Sequence, residues 1–239
     1  SEPMNSIETG FIGKQTIPHS LLRTIRLLGE YHGKEALFMQ QTPQVLESLR
    51  QVAIIQSTES SNRIEGIEAP AERIRKLVEH KTTPENRSEQ EIAGYRDALA
   101  TIHANHANMP ITIGIVLQLH RDLYQFVAQQ GGRWKMTDNE ISETRPDGTK
   151  IARFKPTPAH QTPDAMERLH VLFKQEWEKG QIEPLLLIPA YILDFLCIHP
   201  FTDGNGRMAR LLTLLLLYQA GFEVGRYISL EHLIENQRE

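Results

Sequence analysis

Two strongly apolar stretches lie near the C-terminal end of the chain, and a short polar loop separates them. The first stretch covers residues 185–198 and the second covers residues 211–217. Pro200 cannot continue a preceding helix, so the first stretch is predicted to be a helix that ends where the loop begins. No Pro or Gly interrupts the second stretch before Gly221, which predicts another long helix. The pattern therefore places one polar loop, residues 199–210, between two buried helices.

Apolar residues recur at helical spacing through most of the remaining chain. Prolines mark where several of these helices begin, as at Pro43, Pro70 and Pro163. The predicted helices cover residues 17–33, 43–55, 70–79, 88–106, 113–127, 163–179, 184–199 and 205–220, and a last one begins at residue 230. The sequence therefore predicts a mainly α protein.

One segment breaks the helical spacing. Residues 138–144 and 149–155 flank the turn sequence Arg145-Pro146-Asp147-Gly148, so a β-hairpin is predicted over residues 138–155. A hairpin of two strands is marginally stable unless it packs on other elements. We therefore expect it to lie against the helical core.

Composition and charge narrow the class of protein. The chain has 239 residues, 40% of them hydrophobic, which is ample for one packed core. A formal net charge of −4 provides no broad basic surface, so nucleic-acid binding by this segment is not predicted. Cys197 is the single cysteine, which excludes an internal disulfide, and no signal peptide is visible. The longest apolar run is too short to cross a membrane, so we expect a cytoplasmic protein.

The polar loop has the properties of an anion-binding site. Gly204 and Gly206 flank Asn205 and let the backbone approach a ligand closely. A helix begins at this point, so free backbone N–H groups and the positive end of its dipole are available to the same ligand. Gly-Asn-Gly alone is also a common turn, but beside a helix start it favours phosphate.

Four side chains of the loop suit chemistry on a phosphate. His199 can accept a proton near neutral pH, and Asp203 offers a hard oxygen ligand for Mg²⁺ shared with substrate phosphates. Arg207 and Arg210 are three residues apart, so both guanidinium groups are predicted to project from one helix face. Each feature alone is most often a cap, a turn or a structural residue. Together they indicate phosphoryl or nucleotidyl transfer, and zinc is disfavoured because nearby ligands are too few.

A second polar stretch lies upstream, at residues 56–66. It is predicted to form one to two helical turns that Gly66 ends, with Glu65 at their C-terminal end. A carboxylate there is opposed by the helix dipole and would be stabilised by a cation from elsewhere in the fold. A solvated surface glutamate is the alternative that composition favours.

The loop sequence carries a resemblance to a known family. His199-Pro-Phe-Thr-Asp-Gly-Asn-Gly-Arg-Met-Ala-Arg210 matches HPFx(D/E)GNGRxxR at every fixed position, and it thereby resembles the Fic (Fido-fold) family. The resemblance implies a helical Fic core with one β-hairpin flap and an N-terminal helical lobe. It also implies a protein adenylyltransferase that moves AMP from ATP to a Ser, Thr or Tyr hydroxyl with Mg²⁺ as cofactor.

The resemblance also implies roles for the loop residues. His199 would be the general base, Asp203 would hold Mg²⁺, and Phe201 would anchor the loop in the core. The residues implied to bind the phosphates are Gly204, Asn205, Gly206, Arg207 and Arg210.

The upstream stretch carries a second resemblance. Ser61-x-x-x-Glu65-Gly66 resembles the (S/T)xxxE(G/N) inhibitory motif of Fic proteins, in the class that has it N-terminal to the core. This implies autoinhibition, in which Glu65 pairs with Arg210 and obstructs productive binding of the γ-phosphate. A target protein, or another copy of this chain, would dock on the flap by strand addition.

The two motifs together predict a domain organisation. An N-terminal helical region over residues 1–108 would contain the inhibitory helix near residues 57–66. A Fic domain over residues 109–239 would contain the flap, residues 138–155, and the catalytic loop, residues 199–210.

Other functions stay open at this point. The site could remove AMP, with Glu65 positioning water, or use UTP, a phosphocholine donor or another diphosphate compound, because the loop contacts phosphate and not base. A nucleotide-sensing regulatory module without turnover is a third hypothesis. The sequence leaves open the target protein, the donor nucleotide, a homo-oligomeric state, and a C-terminal domain of the kind that many Fic proteins carry.

Overall fold

The computed structural model describes residues 6–8 and 11–237, and it confirms a mainly α protein with one small antiparallel sheet. Its α-helices, in chain order, are α1 (His19–Phe38), α2 (Pro43–Arg63), α3 (Ala71–Glu79), α4 (Arg87–Asn105), α5 (Ile113–Leu123), α6 (Thr162–Lys179), α7 (Pro184–Ile198), α8 (Asn205–Gln219) and α9 (Leu230–Asn236). The strands are β1 (Ile141–Thr144) and β2 (Lys150–Phe154). Within the described part of the chain, no helix is long and apolar enough to cross a membrane.

Helix α8 lies at the centre of the hydrophobic core. Helices α2, α4, α5 and α7 contact it from different sides, and Leu211 and Leu215 are fully buried. Helix α7 buries one face, with Tyr191 and Phe195 inward, whereas Leu193 is 44% exposed. The apolar runs on both helices predict burial on nearly all sides. That prediction is right for α8 and wrong for α7, because α7 lies at the edge of the bundle between α6 and α8.

Helix α4 connects the N-terminal helices to this core. Tyr95 and Leu99 are fully buried in the main core that contains α8. Ile92 joins Ile74 and Leu77 in a smaller apolar cluster between α3 and α4. Helix α3 is therefore packed onto the core through α4, and the division of the chain at residue 108 stays a prediction.

Helix α2 is longer than its sequence pattern predicts. It runs without interruption from Pro43 to Arg63, so residues 56–63 continue the preceding helix instead of forming a short one. Neither Pro nor Gly follows Pro43 before Gly66, and the buried hydroxyl residues Ser57 and Ser60 are tolerated because other elements supply polar partners. The chain then turns, with Gly66 at a φ of 73°. Glu65 therefore lies in the turn just after α2 and not within a helix.

The predicted hairpin is present with shorter strands. β1 and β2 pair in antiparallel fashion, with Ser142 opposite Ala152 and Thr144 opposite Lys150. Residues 138–140 lie outside the strand, and the side chains of Asp138 and Asn139 bond to other parts of the chain. The carboxylate of Asp138, for example, accepts a hydrogen bond of 2.7 Å from the N–H of Ala159.

Helix α1 lies on the outside of the bundle. It has no buried residue, and it continues past Gly33, at which the sequence pattern predicts its end. Tyr31 and Leu37 are 64% and 63% exposed. A glycine without strain or close contacts does not end a helix by itself, and a Cβ added at Gly33 would meet nothing within 4 Å.

The crossing of α4 and α5 provides a test of this packing. A Cβ added at Gly94 would overlap the carbonyl oxygen of Leu123, which is backbone and cannot move aside easily. We therefore expect Gly94→Ala to destabilise the fold by about 1–3 kcal/mol, measured by urea denaturation. Gly33→Ala is the matched control, and it should be neutral or stabilising by about 0.5–1 kcal/mol because that helical glycine has free space. Equal behaviour of the two variants would contradict the close crossing.

Candidate active site

The loop between α7 and α8 depends on two residues with left-handed backbone. His199 ends α7 with φ 51° and ψ 60°, and its N–H donates to the carbonyl of Phe195 at 2.9 Å. Gly204 precedes α8 with φ 84°, and a Cβ there would lie 3.0 Å from the ring of Tyr124. The left-handed region is disfavoured for residues other than glycine, so the conformation of His199 needs support from its surroundings.

Lys135 and Asn139 supply that support through the carbonyl groups of the loop. The backbone N–H of Lys135 donates to the carbonyl of Pro200 at 2.9 Å, and its Nζ donates to the carbonyl of Ile198 at 3.0 Å. Nζ also donates to Oδ1 of Asn139 at 2.8 Å. Nδ2 of Asn139 in turn donates to the carbonyls of His199 and Phe201, at 3.3 and 3.1 Å. Burial lowers the pKa of Lys135 to about 8. These two residues join the start of the hairpin segment to the loop.

His120 supports the loop from the other side. Its ring stacks on Phe201 with 3.7 Å between centroids, and Phe201 is fully buried, as expected for an anchor. Nδ1 accepts the N–H of Gly132 at 2.9 Å, and Nε2 lies 3.0 Å from the carbonyl of Asp203. Nδ1 therefore lacks the proton and Nε2 carries it. Burial lowers the pKa of His120 to about 4, so the ring is neutral.

Sequence reasoning left Lys135, Asn139 and His120 out of the site. His120 lies within the helix predicted over residues 113–127, and it supports the loop from there. The loop carbonyls that these three side chains contact are 60 or more residues away in sequence, for example 63 for Lys135 and Ile198. No local motif contains information on such contacts.

The side-chain amide of Asn205 bonds to the backbone of the loop. Its Oδ1 accepts the N–H of Phe201 at 2.9 Å, and its Nδ2 donates to the carbonyl of Phe201 at 2.8 Å. Asn205 is 2% exposed. The amide of Asn205 therefore holds the loop closed in this structure, and binding of a phosphate by Asn205 stays a prediction.

The two arginines of the loop do not project together. Arg207 is 1% exposed, and its Nη2 donates to the hydroxyl of Tyr124 at 2.9 Å. Its Nη1 lies 3.9 Å from Oε2 of Glu91. Among the described residues, no hydrogen-bond acceptor is present for Nε and Nη1 of Arg207. The prediction of one shared face is wrong, because Arg207 turns into the interior whereas Arg210 lies near the surface against α2. The two buried donors of Arg207 fit a ligand that brings acceptor oxygens.

Arg210 joins α8 to the end of α2. Its Nε donates to the hydroxyl of Ser61 at 2.9 Å, and its Nη2 donates to the carbonyl of Ser61 at 2.9 Å and to Oε1 of Glu65 at 2.7 Å. Oε1 also lies at the backbone of Gly206, since a Cβ added there would overlap it. The carboxylate of Glu65 thus lies at the first turn of α8, where the helix dipole stabilises negative charge. The sequence motifs therefore identify residues that meet in space, and an effect of the contact on activity stays a prediction.

The two remaining loop residues are His199 and Asp203. Burial lowers the pKa of His199, and a hydrogen bond with the backbone of Leu196 opposes this shift in part. The imidazole is therefore neutral at pH 7. Asp203 is exposed, and its Oδ1 accepts the N–H of Gly204 at 2.7 Å. Across the described ranges, no group of three or more His, Cys, Asp and Glu side chains is arranged to hold a metal ion. A Mg²⁺ ion at Asp203 would therefore need oxygen ligands from a substrate and from water, which is usual for this ion.

Comparison with known proteins finds a match over the central part of the chain. A family model described as the Fic/DOC family matches residues 110–217. The curated relative "Protein adenylyltransferase Fic" from Nematostella vectensis is 29% identical over an alignment of 181 residues, and the match covers 71% of this chain and 39% of the relative. The chain therefore spans about two fifths of the length of that relative.

Solved structures give the same fold. A Fic domain containing signaling protein from Bacteroides thetaiotaomicron has a TM-score of 0.72 at 23% identity, covering 87% of this chain and 77% of its own. A Fic family protein from Desulfovibrio desulfuricans also has a TM-score of 0.72, at 22% identity, covering 93% and 64%. Fic-1 from C. elegans has a TM-score of 0.62 at 20% identity, covering 84% and 61%.

The support that His120 gives the loop predicts a pH dependence of stability. Its pKa is about 4 in the fold and near 6.5 when unfolded, so between these values the unfolded chain takes up a proton that the folded protein does not. Stability should therefore fall as the pH drops from 6.5 to 4, by up to about 3 kcal/mol from this residue. Urea denaturation of His120→Gln across this range should show a correspondingly smaller loss than wild type. Parallel profiles would contradict the buried neutral ring.

Proposed function

Because residues 110–217 of this chain form a domain of the Fic/DOC family, we propose that the protein transfers AMP from ATP to a Ser, Thr or Tyr hydroxyl of a protein. A relative named protein adenylyltransferase supports this reaction class. The observation that carries the proposal is the carboxylate of Glu65, which lies between Arg210 and the backbone of Gly206 at the first turn of α8. An anion already occupies the position where a helix start and an arginine would stabilise a phosphate.

His199 acts as the general base in this proposal. Its neutral imidazole takes the proton of the target hydroxyl, and the hydroxyl oxygen forms a bond to the α-phosphorus of ATP. The bond between that phosphorus and the oxygen that bridges to the β-phosphate breaks, and pyrophosphate leaves. The left-handed backbone at His199, held by the contacts from Asn139, would fix the imidazole relative to the loop.

Asp203 would hold Mg²⁺ at the phosphates. Its exposed carboxylate is a hard oxygen ligand, and a single carboxylate with substrate phosphates and water suits this ion. When bound, the ion would neutralise charge on the leaving pyrophosphate. In the structure the carboxylate of Asp203 accepts a hydrogen bond from the N–H of Gly204. If Asp203 held Mg²⁺ instead, this N–H would be free to donate to a phosphate oxygen.

The remaining contacts to ATP would come from the start of α8. The backbone N–H groups of Gly204, Asn205 and Gly206 can donate to phosphate oxygens at the positive end of the helix dipole. Arg207 would offer the two buried donors that lack acceptors among the described residues. Arg210 would contact the γ-phosphate once Glu65 has left it.

Glu65 inhibits the transfer in this proposal. While its carboxylate occupies the guanidinium of Arg210 and the backbone at Gly206, a γ-phosphate would bring like charge into the same space. Glu65 is 36% exposed, so solvent weakens the contact, and we assign it about 1–2 kcal/mol. A contact of about 1–2 kcal/mol can open and close, so inhibition by Glu65 is reversible. A target protein, or a second copy of this chain, would dock on the hairpin of β1 and β2 by adding a strand to it.

Removing the carboxylate should activate the enzyme. We expect Glu65→Gly to raise modification of itself or of host proteins by about five- to thirty-fold, which corresponds to the free energy of the lost contact. The protein would be incubated with α-labelled ATP, CTP, GTP or UTP and Mg²⁺ in a lysate, and label on protein would be counted. Glu68→Gly is the matched control, since it removes an exposed carboxylate three residues away. Label transferred from another nucleotide would identify that nucleotide as the donor. If the protein instead removed AMP from modified protein, and this removal required Glu65, forward transfer would be overturned.

The role of His199 predicts a pH profile. Because burial lowers the pKa of His199, the acidic limb of kcat/KM for Glu65→Gly should lie below pH 6.5. His199→Ala should lose transfer by at least about a hundred-fold while it still binds ATP, because the base does not contact the phosphates. An acidic limb above pH 6.5, or loss of ATP binding in His199→Ala, would contradict the assignment.

A further inference from the structure

Helix α9 lies alongside the C-terminal part of α2 and contacts it through three polar pairs. The hydroxyls of Ser57 and Ser229 are 3.0 Å apart. Oγ of Ser60 lies 3.3 Å from Nδ1 of His232. Nε and Nη2 of Arg63 donate to the two carboxylate oxygens of Glu235, at 2.5 and 3.0 Å. We call these three pairs the polar ladder.

The spacing of the polar ladder is regular. Its members are 172 residues apart in every pair, and successive pairs are three residues apart on both helices. The two segments therefore run parallel and in register, with one face of α2 against one face of α9. Such a register fixes the axial position of α2 relative to α9.

The last pair is the strongest of the polar ladder. Arg63 and Glu235 meet in a bidentate arrangement, which is the geometry that favours a guanidinium–carboxylate contact. The hydrogen bonds from Arg63 lower the pKa of Glu235 to about 2. Glu235 is 21% exposed and Arg63 39%, so both remain within reach of solvent and the pair can open.

Helix α9 is itself attached to the core. Glu231 is 3% exposed, and its Oε1 accepts the hydroxyl of Tyr95 at 2.7 Å. Burial raises the pKa of Tyr95 well above its usual value, which keeps the hydroxyl protonated as the donor. Ser229 is buried and caps the helix by accepting the N–H of His232 at 3.0 Å. A helix of 7 residues is not stable alone, so its position depends on these contacts.

The polar ladder ends where the inhibitory contact begins. Arg63 is the last residue of α2, and its carbonyl accepts the N–H of Gly66 at 2.9 Å. The N–H of Glu65 donates to the carbonyl of Asn62 at 3.0 Å. Ser61, which directly follows a member of the polar ladder, contacts Arg210 with its hydroxyl and its carbonyl. Fixing Arg63 therefore fixes the turn that carries Glu65.

From these contacts we propose that α9 positions the inhibitory residue: the polar ladder holds the end of α2 so that Glu65 reaches Arg210, and separation of α9 from α2 releases it. Arg63 and Glu235 are positioning residues, since neither contacts Arg210 or the loop in the structure. The proposal rests on the inhibitory role of Glu65 in the proposed function. It makes α9 the element through which inhibition can be relieved.

A charge swap tests the positioning role. Arg63→Glu and Glu235→Arg each place like charges together, and the double variant restores an ion pair in reverse orientation. Hydrogen–deuterium exchange of a peptide covering residues 60–67 should be about three- to ten-fold faster in either single variant and return to near the wild-type rate in the double variant. Arg26→Glu, in an exposed pair of α1, is the matched control and should leave that peptide unchanged.

The activity of the same variants separates the two proposals. Each single variant should raise transfer by about threefold, and the double variant should reverse that rise. In a Glu65→Gly background none of the variants should change transfer, because the polar ladder acts through Glu65. Unchanged exchange in both single variants, or an activity effect that persists without Glu65, would overturn the positioning role. Absence of transfer by Glu65→Gly with any nucleotide would instead overturn the proposed function, while the exchange data still decide the role of α9. Glu235→Gln, which keeps the shape of the side chain, replaces Glu235→Arg if that variant fails to fold.

Discussion

The enclosure of α8 is the constraint on which the rest of the structure depends. Its leucines fill the main core, and helices from both the N-terminal and the C-terminal parts of the chain pack around it. Most of this burial comes from residues after the first turn, such as Leu211, Leu212 and Leu215. The turn at Asn205 and Gly206 can therefore present backbone N–H groups at a fixed position beside the loop, which is what a preorganised anion site requires. Apolar packing thus supports a polar function.

The loop before α8 is held by hydrogen bonds to its backbone. Carbonyls of four successive residues, Ile198 to Phe201, accept bonds from Lys135 or Asn139. The ring of His120 stacks beneath Phe201. A left-handed histidine costs free energy of about 1–3 kcal/mol, and such strain persists where surrounding contacts fix the backbone. The side chains around the loop therefore fix its shape, and roles for His199 and Asp203 in chemistry stay part of the proposed function.

Much of the fold could be predicted from the spacing of apolar residues, prolines and glycines. The buried α8, the limits of α7 and the hairpin follow from local patterns, because helix and strand periods are properties of the chain itself. The pattern was less informative about which apolar faces are covered. It predicts an enclosed α7 and a helix end at Gly33, and both are wrong because the neighbours of α7 and α1 decide those outcomes. The continuity of α2 through its serines depends in the same way on polar partners supplied by α9.

At the candidate site, the sequence by itself determined which residues share one loop and which chemical groups they carry. It also identified two motifs, at Glu65 and at Arg210, that lie 145 residues apart. Only the tertiary structure decided that these two side chains meet, that Arg207 turns inward to Tyr124, and that Asn205 closes the loop. The physical reason is that side-chain direction and long-range contacts follow from packing around α8, whereas motif spacing records only positions along the chain.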